Sequence, residues 1–242
     1  MSQTLRVATY NVHGCVGMDR QRSEARIAEV IASTNADVVG LQEIDANRAR
    51  SERVDQAATI AQQLGWEHVF HPAVRNEEEL YGNAIISRYP LKLRRVIELP
   101  GEGSWYCRER RVAIWAEAET DLGQVSIINT HLALSRAERH TQVAALLREI
   151  TPNESLILLG DFNSLPSGRS VRLLRESLHD VRVIVGDSRM HRTFPTKLPS
   201  LALDHIFTSS ALRPLSITSH RTALARLASD HFPLVAELTA AR

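Results

Sequence analysis

Apolar and polar residues alternate over Leu5–Tyr10 (LRVATY), a period of two that predicts a strand. The period lengthens over Ser23–Ser33, where Ile27, Val30 and Ile31 recur at helical spacing. Asp37–Gln42 (DVVGLQ) is a short apolar run and reads as a buried strand, and Val54–Leu64 reads as a second helix, stopped by Gly65. Strand patterns then dominate, over Glu67–His71, Asn83–Ser87, Leu91–Leu99, Arg111–Glu119 and Gln124–Thr130. The last two are joined by Thr120-Asp121-Leu122-Gly123, a hairpin turn signal. Ser135–Ile150 is the longest helical pattern, with Ser135 as N-cap and Ala137, Val143, Ala144 and Leu147 near one face. Beyond it follow a strand over Ser155–Leu159, a short helix over Ser170–Leu178, and strands over Leu203–Thr208, Pro214–Ser219 and Leu234–Leu238. Strands outnumber helices, and helices fall between strand groups. The expected architecture is α/β, with sheets packed on each other and helices outside. No linker or repeat divides residues 1–242, so one domain is expected.

Composition narrows the class. Of 242 residues, 43% are hydrophobic and 24% charged, which excludes disordered and collagen-like chains. No apolar run is long enough to span a membrane. The net charge of +1 (29 basic against 28 acidic residues) argues against binding nucleic acid through a bulk positive field, though a local basic groove stays open. Cys15 and Cys107 make neither a disulfide framework nor a zinc ribbon. The start lacks a signal-peptide pattern, so the expectation is a cytoplasmic protein.

The candidate chemistry lies where apolar strands end. Asn, Asp, Glu or His follows the strand in TYNVHG (Asn11, His13), LQEID (Glu43), YGNA (Asn83), INTHL (Asn129, His131), LLGDFN (Asp161, Asn163), LDHIF (Asp204, His205) and SDHFP (Asp230, His231). Each has a structural alternative when taken singly: Asn11 and GDFN as turn closers, Glu43 and SDH as helix caps, His131 as a satisfied semi-buried ring. If the strand ends share one rim, carboxylates, amides and imidazoles converge. Such a set invites a hard cation and proton handling, and in the absence of a serine or thiol nucleophile it suggests metal-assisted attack of water on a phosphate ester.

In this order, TYNVHG, LQE, GNAIISRYP, NTHL, GDFN, LDHIF and SDHFP resemble the endonuclease/exonuclease/phosphatase superfamily, from Thr9 to Pro233. The resemblance implies a four-layered sandwich: two mixed sheets face to face, helices outside, the site at the sheet rim. It implies Mg²⁺, with Mn²⁺ as substitute, held by Glu43 beside Asn11, and Asp230 as a weaker ligand. Asp161 would orient or deprotonate the attacking water, and Asn163 would donate to the phosphoryl oxygen. His231 would contact the phosphate, with Asp204 holding its ring. His131 would be a further phosphate contact or the general acid. Tyr81 and Asn83 would shape the floor, and Arg108 or Arg111 would clamp a substrate phosphate. His13 departs from the acidic residue that several nuclease relatives carry there. Asp19 and Asp55 read as surface acids beside helices. His205, one residue from Asp204 on a strand, should face away into the core.

The first expectation for substrate is a phosphodiester, DNA included. The alternatives are a phospholipid head group or inositol-type phosphoester, and a non-catalytic binding module. No protein partner is expected, and a monomer is the simplest state.

Overall fold

The structure, a computed structural model, describes residues 3–101, 109–150, 154–186 and 191–241. Two six-stranded mixed sheets pack face to face. The chain enters through β1 (Leu5–Asn11), α1 (Glu24–Thr34), β2 (Val38–Ala46) and α2 (Gln56–Leu64). A hairpin of β3 (Glu67–Asn76) and β4 (Glu79–Ser87) follows, then β5 (Leu91–Leu99), β6 (Arg111–Thr120) and β7 (Gly123–His131). Next come α3 (Arg136–Glu149), β8 (Leu156–Asp161), α4 (Arg169–Leu174), β9 (His179–Asp180) and α5 (Val181–Val185). The chain closes with β10 (Asp204–Thr208), β11 (Leu212–Ser219), α6 (Ala223–Ala228) and β12 (Leu234–Ala240). The first sheet runs β11-β12-β1-β2-β4-β3 and the second β5-β6-β7-β8-β10-β9.

Both faces of each central strand are buried, which explains their near-continuous apolar runs. In β1, Leu5 and Val7 point between the sheets, while Ala8 and Tyr10 point outward to α1, α2 and α6. In β8, Ile157 and Leu159 fill the space between the sheets, and Leu156 and Leu158 meet α3 and α4. Three apolar layers thus separate four layers of secondary structure, the sandwich expected from the motifs. Among the described residues, no helix is long and apolar enough to cross a membrane.

Helix ends follow their caps. Ser23, Asp55 and Ser135 each accept the backbone N–H three residues on, and Gly65 ends α2 in the left-handed conformation. Several bounds differ from expectation. The Ser170–Leu178 helix stops at Leu174 and continues as turns. In α3 the buried face carries Val143 and Leu146 with Glu138, Arg139 and Gln142, while Ala137 is exposed. The polar members are needed there: Arg139 donates to the Ala133 and Leu134 carbonyls, and Gln142 bridges Ala133 N–H and the Pro100 carbonyl. β2 and β8 run past their expected ends, so Glu43 and Asp161 lie within strands rather than after them.

Candidate active site

Each sheet contains one parallel pair, β1 with β2 and β7 with β8. Parallel strands end on the same side, and the register aligns Asn11 with Gln42 and His131 with Asp161. β10 runs antiparallel to β8 and begins there, with Asp204 opposite Asp161. One rim therefore gathers residues from both sheets.

Two local devices aim the acids. In β2 the pairing with β4 slips between Leu41 and Ile44, a bulge in which Glu43 takes φ 61°. The extra residue turns the Glu43 side chain toward the rim, at a backbone cost of order 1 kcal/mol. In β8, Gly160 packs so tightly on β7 that a Cβ would lie 1.9 Å from the Thr130 carbonyl oxygen. Only glycine lets the two strands deliver His131 and Asp161 side by side.

The Asn11 amide joins the sheets. Its Nδ2 donates to Glu43 Oε1 at 2.9 Å and to Asp161 Oδ2 at 3.1 Å, while its Oδ1 accepts from His13 N–H. Asp161 Oδ1 accepts from Asn163 N–H at 2.9 Å. His131 Nε2 and His231 Nε2 stand 3.6 and 3.7 Å from Asp161 Oδ2. His231 Nδ1 donates to Asp204 Oδ2 at 2.9 Å, and Thr193 Oγ1 donates to the same oxygen. Asn163 Nδ2 lies 3.0 Å from His131 Nε2 and also donates to the Leu132 carbonyl, so both its hydrogens are engaged within the protein.

Burial and charge set the protonation. Burial pushes the Asp161 carboxyl up, the His231 cation pulls it back, and Asp204 adds to the rise; the net is upward. Burial alone would depress His231, but the Asp204 and Asp161 carboxylates outweigh it and hold the ring charged. His131 is driven well down by burial, by Arg111 and by His231, so it stays neutral.

The remaining candidates surround this cluster. His13 Nδ1 lies 3.8 Å from Glu43 Oε2 and 3.5 Å from Asp230 Oδ2, between the two acids. Tyr81 lies under the Arg48 and Arg50 guanidiniums, 5.6 and 5.5 Å from its ring centre, and its hydroxyl donates to Glu109. Asn83 is buried and braces the sheets by donating to the Val112 carbonyl. Arg111 is buried and pairs with Glu109 at 2.9 Å. Arg108 and Cys107 lie outside the described residues. Cys15 is buried and free. Asp19 pairs with Arg26, and Asp55 caps α2. His205 is fully buried on the other face of β10, near Arg182 and 2.7 Å from the Ser164 carbonyl oxygen.

Some supporting residues take their role only from the fold. Below the rim, Gln42 Nε2 donates to Asn129 Oδ1 at 2.7 Å, and Asn129 Nδ2 donates to the Leu41 and Ala84 carbonyls. This satisfied link clips the second sheet to the bulged stretch of the first. Ser229 Oγ donates to the Asn11 carbonyl and accepts from His231 N–H, tying SDH to β1. Thr193 and Glu109 belong to segments that only tertiary packing brings here.

Two donor sets have the chemistry to hold a cation. Asp161, Asp204 and His231 bring three atoms within 4.8 Å of one another, but the Asp204 oxygen already serves His231 and Thr193. Glu43, Asp230 and Asn11 offer oxygen alone, and the two acids keep side-chain exposures of 25%. A hard cation that retains part of its water fits this open oxygen set better than the closed one.

The sequence pattern of the Endonuclease/Exonuclease/phosphatase family matches residues 8–231. The uncharacterized protein YbhP of Escherichia coli K12 is 26% identical over 97% of this chain and 96% of its own. An endonuclease/exonuclease/phosphatase from Beutenbergia cavernae superposes with a TM-score of 0.80 at 22% identity, over 98% of this chain and 72% of its own. The mannosyl-6-phosphatase Bt3783 of Bacteroides thetaiotaomicron gives 0.77 at 20% identity, over 97% and 99%. The match over residues 8–231, most of the chain, places this chain in the endonuclease/exonuclease/phosphatase family.

Proposed function

We propose that the protein is a divalent-cation-dependent hydrolase of phosphate esters that directs water in line onto phosphorus. The observation that carries the reading is the Asn11 amide, which holds the half-exposed Glu43 and the buried Asp161 on one nitrogen. Mg²⁺ or Mn²⁺ held by Glu43 and Asn11, with Asp230 beside them, would supply Lewis acidity to a phosphoryl oxygen.

The chain's own groups divide the remaining work. Asp161 orients the attacking water and takes its proton. Asn11 and Asn163 N–H fix both carboxylate oxygens, and burial makes the group a stronger base than a solvated aspartate. His231 is the cation of the site. Asp204 locks its Nδ1, leaving Nε2–H to stabilise charge on the phosphoryl oxygens. His131, kept neutral, accepts an Asn163 amide hydrogen on Nε2 and holds that side chain beside the Asp161 carboxylate.

The test is hydrolysis of bis-p-nitrophenyl phosphate with Mg²⁺ or Mn²⁺, with chelator and with Asp161→Asn. Turnover that needs the cation and collapses in the variant is expected. Turnover indifferent to both would overturn the reading. Plasmid DNA and sphingomyelin in the same assay sort the nuclease and head-group alternatives.

A further inference from the structure

The turn after β1 is left-handed through three successive residues: His13, Gly14 and Cys15 take φ 51°, 60° and 60°. Residues that carry a Cβ visit this region singly, because left-handed backbone crowds Cβ against the following carbonyl. The surrounding fold fixes the turn there. Val12 N–H donates to the Gln42 carbonyl, His13 N–H to Asn11 Oδ1, Cys15 N–H to the Val12 carbonyl and Val16 N–H to the His13 carbonyl. From outside the turn, the buried Gln56 amide donates to the Gly14 carbonyl, and Ser23 N–H donates to the Cys15 carbonyl. Strained backbone that its surroundings over-determine clusters at functional sites.

What the turn achieves is the placement of one ring. His13 Nδ1 stands 3.8 Å from Glu43 Oε2 and 3.5 Å from Asp230 Oδ2, and its side chain is 49% exposed. Glu43 comes from the bulge in β2, and Asp230 follows Ser229, whose hydroxyl donates to the Asn11 carbonyl. Both separations exceed an N–H···O hydrogen bond, about 2.7–3.2 Å. A ring that served only as a counter-charge would close to that distance on one acid, whereas this one stands off both. The spacing matches a different relation. Donors at about 2.1 Å from one octahedral ion lie roughly 3.0 Å apart when adjacent and roughly 4.2 Å apart when opposite. Both separations fall between those limits.

The donor chemistry bears on which ion is held. The oxygens of Glu43, Asp230 and Asn11 suit Mg²⁺ and Mn²⁺ alike. Imidazole nitrogen suits first-row transition ions, while Mg²⁺ keeps to oxygen. One nitrogen among oxygens tilts the set away from Mg²⁺.

We propose that His13 is a nitrogen ligand of the Glu43–Asp230 cation site and makes that site select Mn²⁺ over Mg²⁺. The inference rests on the hydrolase reading for the presence of a cation at Glu43. It adds a donor and a preference that the reading leaves open.

The test is metal binding to the full-length protein without substrate. Electron paramagnetic resonance follows free Mn²⁺ during titration, Mg²⁺ is measured as its competitor, and electron spin-echo modulation reports nitrogen bound to Mn²⁺. The variants are Glu43→Ala and His13→Asn, the latter because asparagine also accepts left-handed backbone. Wild type should hold Mn²⁺ about tenfold or more tighter than Mg²⁺ and show directly bound nitrogen. His13→Asn should lose the nitrogen signal and about tenfold in Mn²⁺ affinity, while Mg²⁺ affinity moves by less than about threefold. Wild type without bound nitrogen would overturn the proposal, as would a nitrogen signal that survives His13→Asn or equal losses for the two ions. Mn²⁺ that binds Glu43→Ala as tightly as wild type would sink the cation placement in the hydrolase reading. Glu43→Ala that weakens both ions, beside an indifferent His13→Asn, would sink this inference alone.

Discussion

Each sheet is built around one parallel pair joined through a helix, yet the two pairs deliver different chemistry. The β1–α1–β2 unit brings Asn11 and Glu43 to the rim, and the β7–α3–β8 unit brings His131 and Asp161. The Glu43 side chain is 25% exposed and Asp161 only 2%. The first unit reaches the rim by a bulge, which lifts its acid toward solvent. The second does so by a glycine, which draws its acid down against β7. Equivalent topology thus yields an open carboxylate suited to a hydrated cation and a buried one suited to a proton. Burial, more than residue type, separates the two roles.

The largest expected effect falls on the buried side. Asp161→Asn keeps the shape and removes the base, so kcat should drop about 10³-fold, within the range for general base catalysis. Circular dichroism would check that the fold persists, and a rate within a few fold of wild type would erase the contrast between the units. His231→Ala should raise the barrier by about 2–4 kcal/mol, the scale for losing a donor to developing negative charge. Steady-state rates measure this, and a near-wild-type rate would make SDH a structural motif.

On the open side, Glu43→Ala should weaken cation affinity about 10- to 100-fold, with excess Mg²⁺ restoring much of the rate. Activity titrated against Mg²⁺ shows it, and an unchanged half-saturating concentration would remove Glu43 from the ligand set. The smallest effect concerns stability. His205 is buried beside Arg182, and both burial and that cation hold it well below 6.5. The unfolded chain binds this proton below pH 6.5 and the folded one does not, so stability is intact above that pH and falls as pH drops. The slope is about 1.4 kcal/mol per pH unit for this one group. Urea midpoints at neutral and mildly acid pH, compared with His205→Gln, would reveal a shallower slope in the variant.

What was legible in the sequence follows the same division. Strands and long helices declare themselves by period, and polar residues at their ends announce a rim. The two-residue period also turns His205 away from the Asp204 side of β10, where it is found. A bulge leaves no such trace: LQEID reads as a strand that ends at Gln42, whereas β2 continues to Ala46 with Glu43 displaced. α5 and α6 span five and six residues, too short to express a helical period. The β3–β4 hairpin hides behind Asn76-Glu77-Glu78-Glu79, whose charges suit a loop as well as an edge pair. Gln42, Asn129, Thr193 and Glu109 gain their meaning from contacts across the chain, which no local pattern encodes.

The most direct test of the account asks whether the two units make one site. Rates of Glu43→Ala, Asp161→Asn and the double variant, measured on one ester at a fixed Mg²⁺ concentration low enough to limit Glu43→Ala, form a cycle. Groups that act as a unit give strongly non-additive losses, so the double variant should run within about threefold of Asp161→Asn alone. Losses that multiply in full would show two independent contributions and contradict a single centre joined through Asn11.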